Sequence, residues 1–462
     1  MSTTHSRYIL FLLLFFAATA EAQHLAMSEK YAQYDAERLS PAFHKSRRDS
    51  VLKHMAPRTI ALFPAALEKN RSNDVGYEYH QDPNFYYLTG HIQPKAALLL
   101  INIGEPREIL FVDKKDPARE TWTGVRLGTE GAKEILGFSE AYTIESLPRF
   151  LDSLLALVDT VYYRPNYSTV QDLLIDSSIN IYDGIKQIVS GLHKNVKVST
   201  LSQVLARLRM IKTPEELELM KRAISISTEA HNKIMERVRP GWYEYQMQAL
   251  GEYVFTWNGA EYTGYPCIVG SGNNSTILHY EINRRKVNDG DFIEMDMGAE
   301  YHGYSADVTR SFPANGKFTP EQRAIYEVVL EAQDSGIAAA KVGNIFKAPH
   351  NAAMAVIQRG LLKLGIIKSA DEYKKYFMHG TSHYLGLDVH DAGTGGVLEE
   401  NVVITVEPGI YITEGSPCDP KWWKIGCRIE DDILITAAGP VNLSAASPRT
   451  VDQVEQVMLK GR

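Results

Sequence analysis

Two aspartates, Asp296 and Asp307, sit where a carboxylate is costly. Asp296 stands in Phe292-Ile-Glu-Met-Asp-Met-Gly298 and Asp307 in Tyr304-Ser-Ala-Asp-Val-Thr309. Both runs alternate as strands do, and Glu300-Tyr301-His302-Gly303 between them reads as a tight turn. With Tyr301 and His302 as its central residues, the register sets Asp296 directly opposite Asp307. Opposed side chains of an antiparallel pair have Cβ atoms only about 4.5–5.5 Å apart, where like charges repel. Aspartate is also a poor strand former. Solvated surface aspartates would not have Ile293, Met295 and Met297 as neighbours. The pair calls for a cation.

Further along, Glu407 lies inside Val402-Val-Ile-Thr-Val-Glu-Pro-Gly-Ile-Tyr411, an apolar strand in which an unpartnered glutamate is unfavourable. Glu430 follows in Arg428-Ile-Glu-Asp-Asp-Ile433, on the strand face of Arg428. His379, His383 and His390 crowd into one glycine-bearing segment, Met378-His379-Gly-Thr-Ser-His-Tyr-Leu-Gly386 and the Asp388-Val389-His390-Asp391 that follows. A lone histidine is more often structural than a ligand; three beside a buried glutamate point to function. Two aspartates, two glutamates and a histidine form a hard, oxygen-rich donor set that suits manganese and tolerates cobalt or zinc. Four carboxylates balance two divalent ions, and in two-metal hydrolases such ions lie about 3.5–4 Å apart and clamp the reacting oxygens. Metal-assisted hydrolysis is the reaction class these residues predict.

Positioning them requires a particular frame. Thr213-Pro214-Glu215-Glu216 carries a helix cap, a proline for the first turn and a capping-box glutamate. An apolar stripe follows until Arg239-Pro240-Gly241 stops it. The pattern recurs: Thr319-Pro320-Glu321 opens a second helix, and Lys341-Val342-Gly343 follows it. A histidine comes next in each half, His279 and then His383, and two carboxylates on strands follow each, at an offset of roughly a hundred residues. The expected C-terminal domain, residues 199–462, is therefore α+β, with two related halves facing a shared site. Residues 59–63, 96–103 and 108–112 are strand-like runs in an α/β domain expected over 23–198. A linker is expected near 195–212.

The remaining composition bounds the compartment and the partners. The chain has 462 residues, 44% hydrophobic and 23% charged, which is ordinary for globular protein. A net charge of -7 gives no electrostatic case for nucleic acid or for an anionic membrane. Arg7 precedes an apolar run at 8–18, and Ala20 and Ala22 have the spacing of a cleavage site. The run is short for a bilayer span, so residues 1–22 read as a signal peptide and the mature protein as secreted or periplasmic, free of the membrane once cleaved. Cys267, Cys418 and Cys427 have no zinc-site spacing; a Cys418–Cys427 bridge is left open by the sequence.

From about residue 40 to the C-terminus the sequence resembles the aminopeptidase P family, the Xaa-Pro aminopeptidases of pita-bread fold. In the N-terminal part the likeness rests on Asn73-Asp74-Val-Gly-Tyr77, Gln81-Asp-Pro-Asn-Phe-Tyr-Tyr-Leu-Thr-Gly90 and Trp122-Thr-Gly-Val-Arg-Leu-Gly128. In the C-terminal part it rests on Ile268-Val-Gly-Ser-Gly-Asn273, Leu278-His-Tyr280 and the segments above. The resemblance implies a creatinase-like N-terminal domain and a pita-bread catalytic domain. It implies two divalent ions held by Asp296, Asp307, His383, Glu407 and Glu430, with Asp307 and Glu430 bridging them beside a hydroxide. Glu407 would also relay protons. His279, His379 and His390 match the family's substrate-binding histidines, and Arg428 and Tyr411 flank the centre, Tyr411 on the substrate side. Asp74 and Trp122 match positions that approach a neighbouring subunit's site, which implies a homo-oligomer. The chain departs from the family between Asp391 and Val402, where the loop is short and Glu400-Asn401 replaces the usual Pro-Gly.

The expected activity is release of an N-terminal residue from peptides with proline second. A proline dipeptidase shares the same fold and ligands, a creatinase-like hydrolase is more distant, and a non-catalytic pita-bread binding protein is the reading from another class. The intact five-residue set argues against the last.

Overall fold

The computed structural model describes residues 29–35, 37–163 and 196–461. The expected signal peptide, 1–22, lies outside them. The chain divides into two compact units between Val204 and Leu205.

The N-terminal unit is built on a mixed six-stranded sheet. Its strands are β1 (Thr59–Pro64), β2 (Ala97–Asn102), β3 (Arg107–Val112), β4 (Glu140–Thr143), β5 (Thr160–Tyr163) and β6 (Lys197–Ser199). Their order is β4-β3-β2-β1-β5-β6, with β1-β2 and β2-β3 antiparallel and the other pairs parallel. Ile60, Leu62, Leu99, Ile109 and Phe111 project from one face into a core closed by Leu147, Leu151 and Leu155 of helix Leu147–Leu155. The stretch expected to be a linker is largely structured. β6 extends this sheet, and Ser202–Met210 is a helix because Leu205, Ala206 and Met210 bury one face.

The C-terminal unit repeats one plan. α1 (Pro214–Arg237) and α2 (Glu244–Trp257) precede the sheet of β7 (Ile268–Ser271), β8 (Phe292–Asp296) and β11 (Thr309–Pro313). β9 (Ala299–Tyr301) and β10 (Tyr304–Ser305) link β8 to β11. α3 (Pro320–Ala339) and α4 (Ala348–Lys363) then precede β12 (Val403–Val406), β13 (Gly409–Ile412), β14 (Ile425–Arg428), β15 (Asp431–Thr436) and β16 (Gly439–Asn442). Thr213 and Thr319 each close a capping box, with Glu216 and Gln322. Gly241 and Gly343, at φ 100° and 86°, turn the chain after each first helix, as left-handed positions there require.

The register differs from the sequence expectation. Tyr301 pairs with Tyr304 and Asp296 with Thr309, so the turn residues are His302 and Gly303. Both have positive φ, 48° and 85°, the pattern of a two-residue hairpin turn whose twist matches the strands. Asp307 is thus displaced by two residues from the position opposite Asp296. An even shift keeps both on one face. The long strands expected around Glu407 and Glu430 are also interrupted, because β12 ends at Val406, β13 starts at Gly409, and Ile429-Glu430 separates β14 from β15. Pro408 has no N–H to give a ladder.

Candidate metal centre

Four carboxylates come from strand ends and strand breaks. Asp296 closes β8, Asp307 lies between β10 and β11, Glu407 between β12 and β13, and Glu430 between β14 and β15. Asp296 keeps its place in the ladder, whereas the backbone N–H groups of the other three are satisfied outside one. The Asp307 N–H donates to Asp432 Oδ2 (3.2 Å), Glu407 N–H to the Thr381 carbonyl (2.9 Å), and Glu430 N–H to the Thr309 carbonyl (3.2 Å). The Asp307–Asp432 and Glu430–Thr309 contacts tie the two halves together at the site.

Donor atoms of Asp307, His383 and Glu430 all lie within 4.8 Å of one another. His383 Nε2 is 3.2 Å from Asp307 Oδ2 and 3.7 Å from Glu407 Oε1. Its Nδ1 donates to the Tyr384 carbonyl at 3.0 Å, so Nε2 is the ring atom that faces the carboxylates, protonated in their company alone and free to serve as a ligand once a cation takes the proton's place. Tyr265 donates to Asp296 Oδ1 at 2.5 Å, and Arg428 Nη2 donates to Asp296 Oδ2 at 2.7 Å.

The electrostatics fit a bound cation. Burial and the Asp307 charge push Asp296 up to about 6; burial pushes Glu407 up to about 7 and Glu430 well above the carboxylate range. Burial works against the His383 imidazolium, yet the hydrogen bond and charge of Asp307, with Glu407, raise it to about 9. Protein groups alone leave these carboxylates repelling one another, and divalent charge at their focus removes the conflict. The residues present therefore suit oxygen-preferring divalent ions, which Asp307, His383 and Glu430, with Asp296 and Glu407 beside them, could hold.

Around them lies a layer that the sequence only partly disclosed. Arg428, almost fully buried, reaches Asp296, Glu294 (2.8 Å), the Thr309 hydroxyl (Nε, 3.2 Å) and the Tyr411 hydroxyl (2.8 Å). Thr309 donates onward to Glu430 Oε2 at 2.6 Å. Burial raises Glu294 to about 8 against the pull of Arg428. Tyr265, Glu294, Thr309 and Asp432 had no place in the expected site. Thr309 and Glu294 stood in the quoted strands on the faces of Asp307 and Asp296, a period-two signal that was available. Tyr411, expected beside the centre with Arg428, is buried, its hydroxyl held between Arg428 and His379 Nε2 (2.8 Å), so it orients His379. With Nδ1 of His379 at the Gly380 carbonyl (2.6 Å), Tyr411 is the donor in that contact. Burial and Arg428 lower His379 to about 3, keeping it neutral.

Two of the three histidines touch the cluster. His390 meets the His383 ring edge-on at 4.4 Å, and His379 Nδ1 lies 3.6 Å from Glu407 Oε2. His279 is exposed in the turn after Gly272–Thr276. Asp74 and Trp122 belong to the other unit. Asp74 is exposed in the turn between Asn70–Ser72 and Val75–Gly76, and Trp122 is 89% exposed on the helix Pro117–Thr123. After the loop that follows Asp391, Asn401 takes a left-handed φ of 66°, a conformation asparagine tolerates. All three cysteines are free thiols, so no Cys418–Cys427 bridge forms.

Residues 218–437 match metallopeptidase family M24, and residues 44–162 match the aminopeptidase P N-terminal domain. The Xaa-Pro aminopeptidase of Haemophilus influenzae is 38% identical over 428 residues, covering 90% of this chain and 96% of the relative. That of Escherichia coli is 37% identical, covering 90% and 97%. The chain belongs to the aminopeptidase P family of M24 metallopeptidases. Among solved structures, E. coli aminopeptidase P with the inhibitor Pro-Leu superimposes with a TM-score of 0.85 at 36% identity, covering 92% of this chain and 99% of that one. A zinc-substituted form of the same enzyme in complex with product matches equally well. The two related halves are thus the pita-bread fold of this family, and aminopeptidase P membership makes the protein a hydrolytic metalloenzyme.

Proposed function

We propose that the protein is a Xaa-Pro aminopeptidase that releases the first residue from peptides with proline second. The observation that carries this is the cluster of Asp307, His383 and Glu430 with His390 against the His383 ring and His379 Nδ1 3.6 Å from Glu407 Oε2. Divalent ions held there supply Lewis-acid polarisation of the scissile carbonyl and a nucleophilic oxygen at neutral pH. We assign the ions as a pair, and manganese as the native metal, from the oxygen-rich donors.

The protein groups do the rest. The bond before proline is a tertiary amide without an N–H, so recognition through that donor is impossible. The proline nitrogen leaves only when protonated, and we assign Glu407, half-buried with Oε2 3.6 Å from His379 Nδ1, as the carboxyl that carries that proton. His379 is held neutral and fixed by Tyr411, so it offers the peptide an uncharged imidazole. Contacts beyond the proline favour tripeptides and longer over dipeptides. We also propose export by the 1–22 leader and a homo-oligomer in which Asp74 and Trp122 face a neighbouring subunit.

The test is a substrate panel on manganese-loaded protein. Arg-Pro-Pro should be cleaved, the corresponding alanine peptide poorly, and Gly-Pro hardly at all. Efficient Gly-Pro hydrolysis with Arg-Pro-Pro untouched would make the protein a dipeptidase.

A further inference from the structure

The segment entering the catalytic unit carries two buried cations that take no part in the metal centre. Lys212 and Asp391 side chains are each 1% exposed and meet at 3.1 Å. Arg209, 3% exposed, contacts the other oxygen of Asp391 and also Asp388 Oδ2 at 2.6 Å. Asp388 is half exposed, so the set is two cations against two anions with one anion reaching water. Neither Asp391 nor Lys212 would be buried without the other, because an uncompensated buried charge costs more than the pair gains.

The turn they grip is the one that carries His390. Asp391 N–H donates to the Tyr384 carbonyl (2.9 Å), Gly386 N–H to the Asp388 carbonyl (3.2 Å), and Ser305 N–H to the Gly386 carbonyl (2.8 Å). A side chain at Gly386 would stand 2.1 Å from Asp391 Oδ2, so the turn closes tightly over that carboxylate. The Tyr384 carbonyl also accepts from His383 Nδ1, but His383 has a further anchor outside the turn: its N–H donates to the Thr405 hydroxyl (3.1 Å) and its carbonyl accepts from the Thr405 N–H (3.0 Å). His390 is exposed, and no hydrogen bond from its ring is among those of the described residues; its place against His383 follows from Asp391 next to it.

We propose that Lys212 and Arg209 are positioning residues for His390, clamping through Asp391 the turn that presents its imidazole to the substrate. This deepens the aminopeptidase reading and rests on it for the role of His390. The clamp lies apart from the carboxylate cluster, so loosening it misplaces His390 while the metal ligands stay. A displacement near 1 Å at a positioning group costs on the order of 100-fold.

The experiment is a double-mutant cycle on the full metal-loaded chain, paired with a spectrum that does not depend on turnover. Lys212→Met should lower kcat/KM for an Xaa-Pro-Xaa peptide roughly 10- to 100-fold. In a His390→Ala background the same change should cost less than about threefold, since no imidazole remains to be placed. Metal content should be unchanged. In protein labelled with 13C at histidine, the resonance identified as His390 by its loss in His390→Ala should shift in Lys212→Met while that of His279 stays. Equal losses in both backgrounds, or an unmoved His390 resonance, overturn the clamp. Arg209→Lys keeps the charge and loosens the contacts to Asp388 and Asp391. If Lys212→Met fails to fold, its His390 resonance decides in the same way. If the wild type cleaves no Xaa-Pro peptide the substrate reading falls, and the histidine spectrum alone decides the clamp.

Discussion

Thr309→Val should weaken metal binding without touching a metal ligand. Valine reproduces the shape of threonine and removes only the hydroxyl, which donates to Glu430 Oε2 at 2.6 Å and accepts from Arg428 Nε at 3.2 Å. A hydrogen bond to a charged group is worth about 1.5–3 kcal/mol, and each 1.4 kcal/mol is about tenfold in an equilibrium constant. Losing the donor that fixes Glu430 should therefore weaken affinity roughly 10- to 100-fold, the range typical of groups that orient metal ligands. Arg428 Nε loses its acceptor at the same time, at a cost to stability of about 1–3 kcal/mol. In a unit of this size each kcal/mol lowers the melting temperature by about 2–4 °C. Manganese titration of stripped protein against a competing chelator measures the first effect, and thermal unfolding of the stripped protein measures the second. Thr309→Ser keeps the hydroxyl and should behave nearly as wild type. A valine variant that binds manganese within about threefold of wild type would refute the argument that Thr309 holds Glu430 for the metal.

Other outcomes follow from the same geometry. Asp307→Asn should abolish metal uptake and turnover while the far-UV circular dichroism stays native, because a neutral amide cannot replace the carboxylate at the centre of the cluster; near-normal turnover with bound metal would contradict its assignment. Stripped protein should lose stability as pH rises from about 4.5 to 9. Asp296, Glu407 and Glu294 keep protons to about 6, 7 and 8 in the fold after the unfolded chain has released them. The His383 contribution, fully present below about 6.5, is lost through its folded value of about 9. Metal displaces these protons, so the rise in melting temperature on adding manganese should grow between pH 6 and 8.5, and a shrinking rise would refute the electrostatic account. N-terminal sequencing of protein from periplasm or medium should begin near Gln23; an intact Met1 on cytosolic protein would refute export.

The amino-acid sequence was explicit wherever a local rule operates. Thr213 and Thr319 announced their helices through capping boxes that the structure contains, and the runs at 59–63 and 108–112 became β1 and β3. The metal-site candidates were legible because a carboxylate between apolar neighbours is costly until a cation or a hydrogen-bond donor compensates it. Asp307, His383 and Glu430 do come together as a cluster. Register was less legible, since the turn at His302 and Gly303 requires a non-glycine residue at positive φ, which residue type alone did not disclose. Which partner holds which ligand was not legible, although Arg428 itself was expected beside the centre. Arg428 lies 132 positions from Asp296, and Thr309 lies 121 from Glu430. Lys212 reaches Asp391 across 179 positions. No periodicity or cap links residues so distant. Each of these charged groups is buried, and a buried charge takes whatever partner the assembled fold delivers, so their pairing was settled only when the two halves packed together.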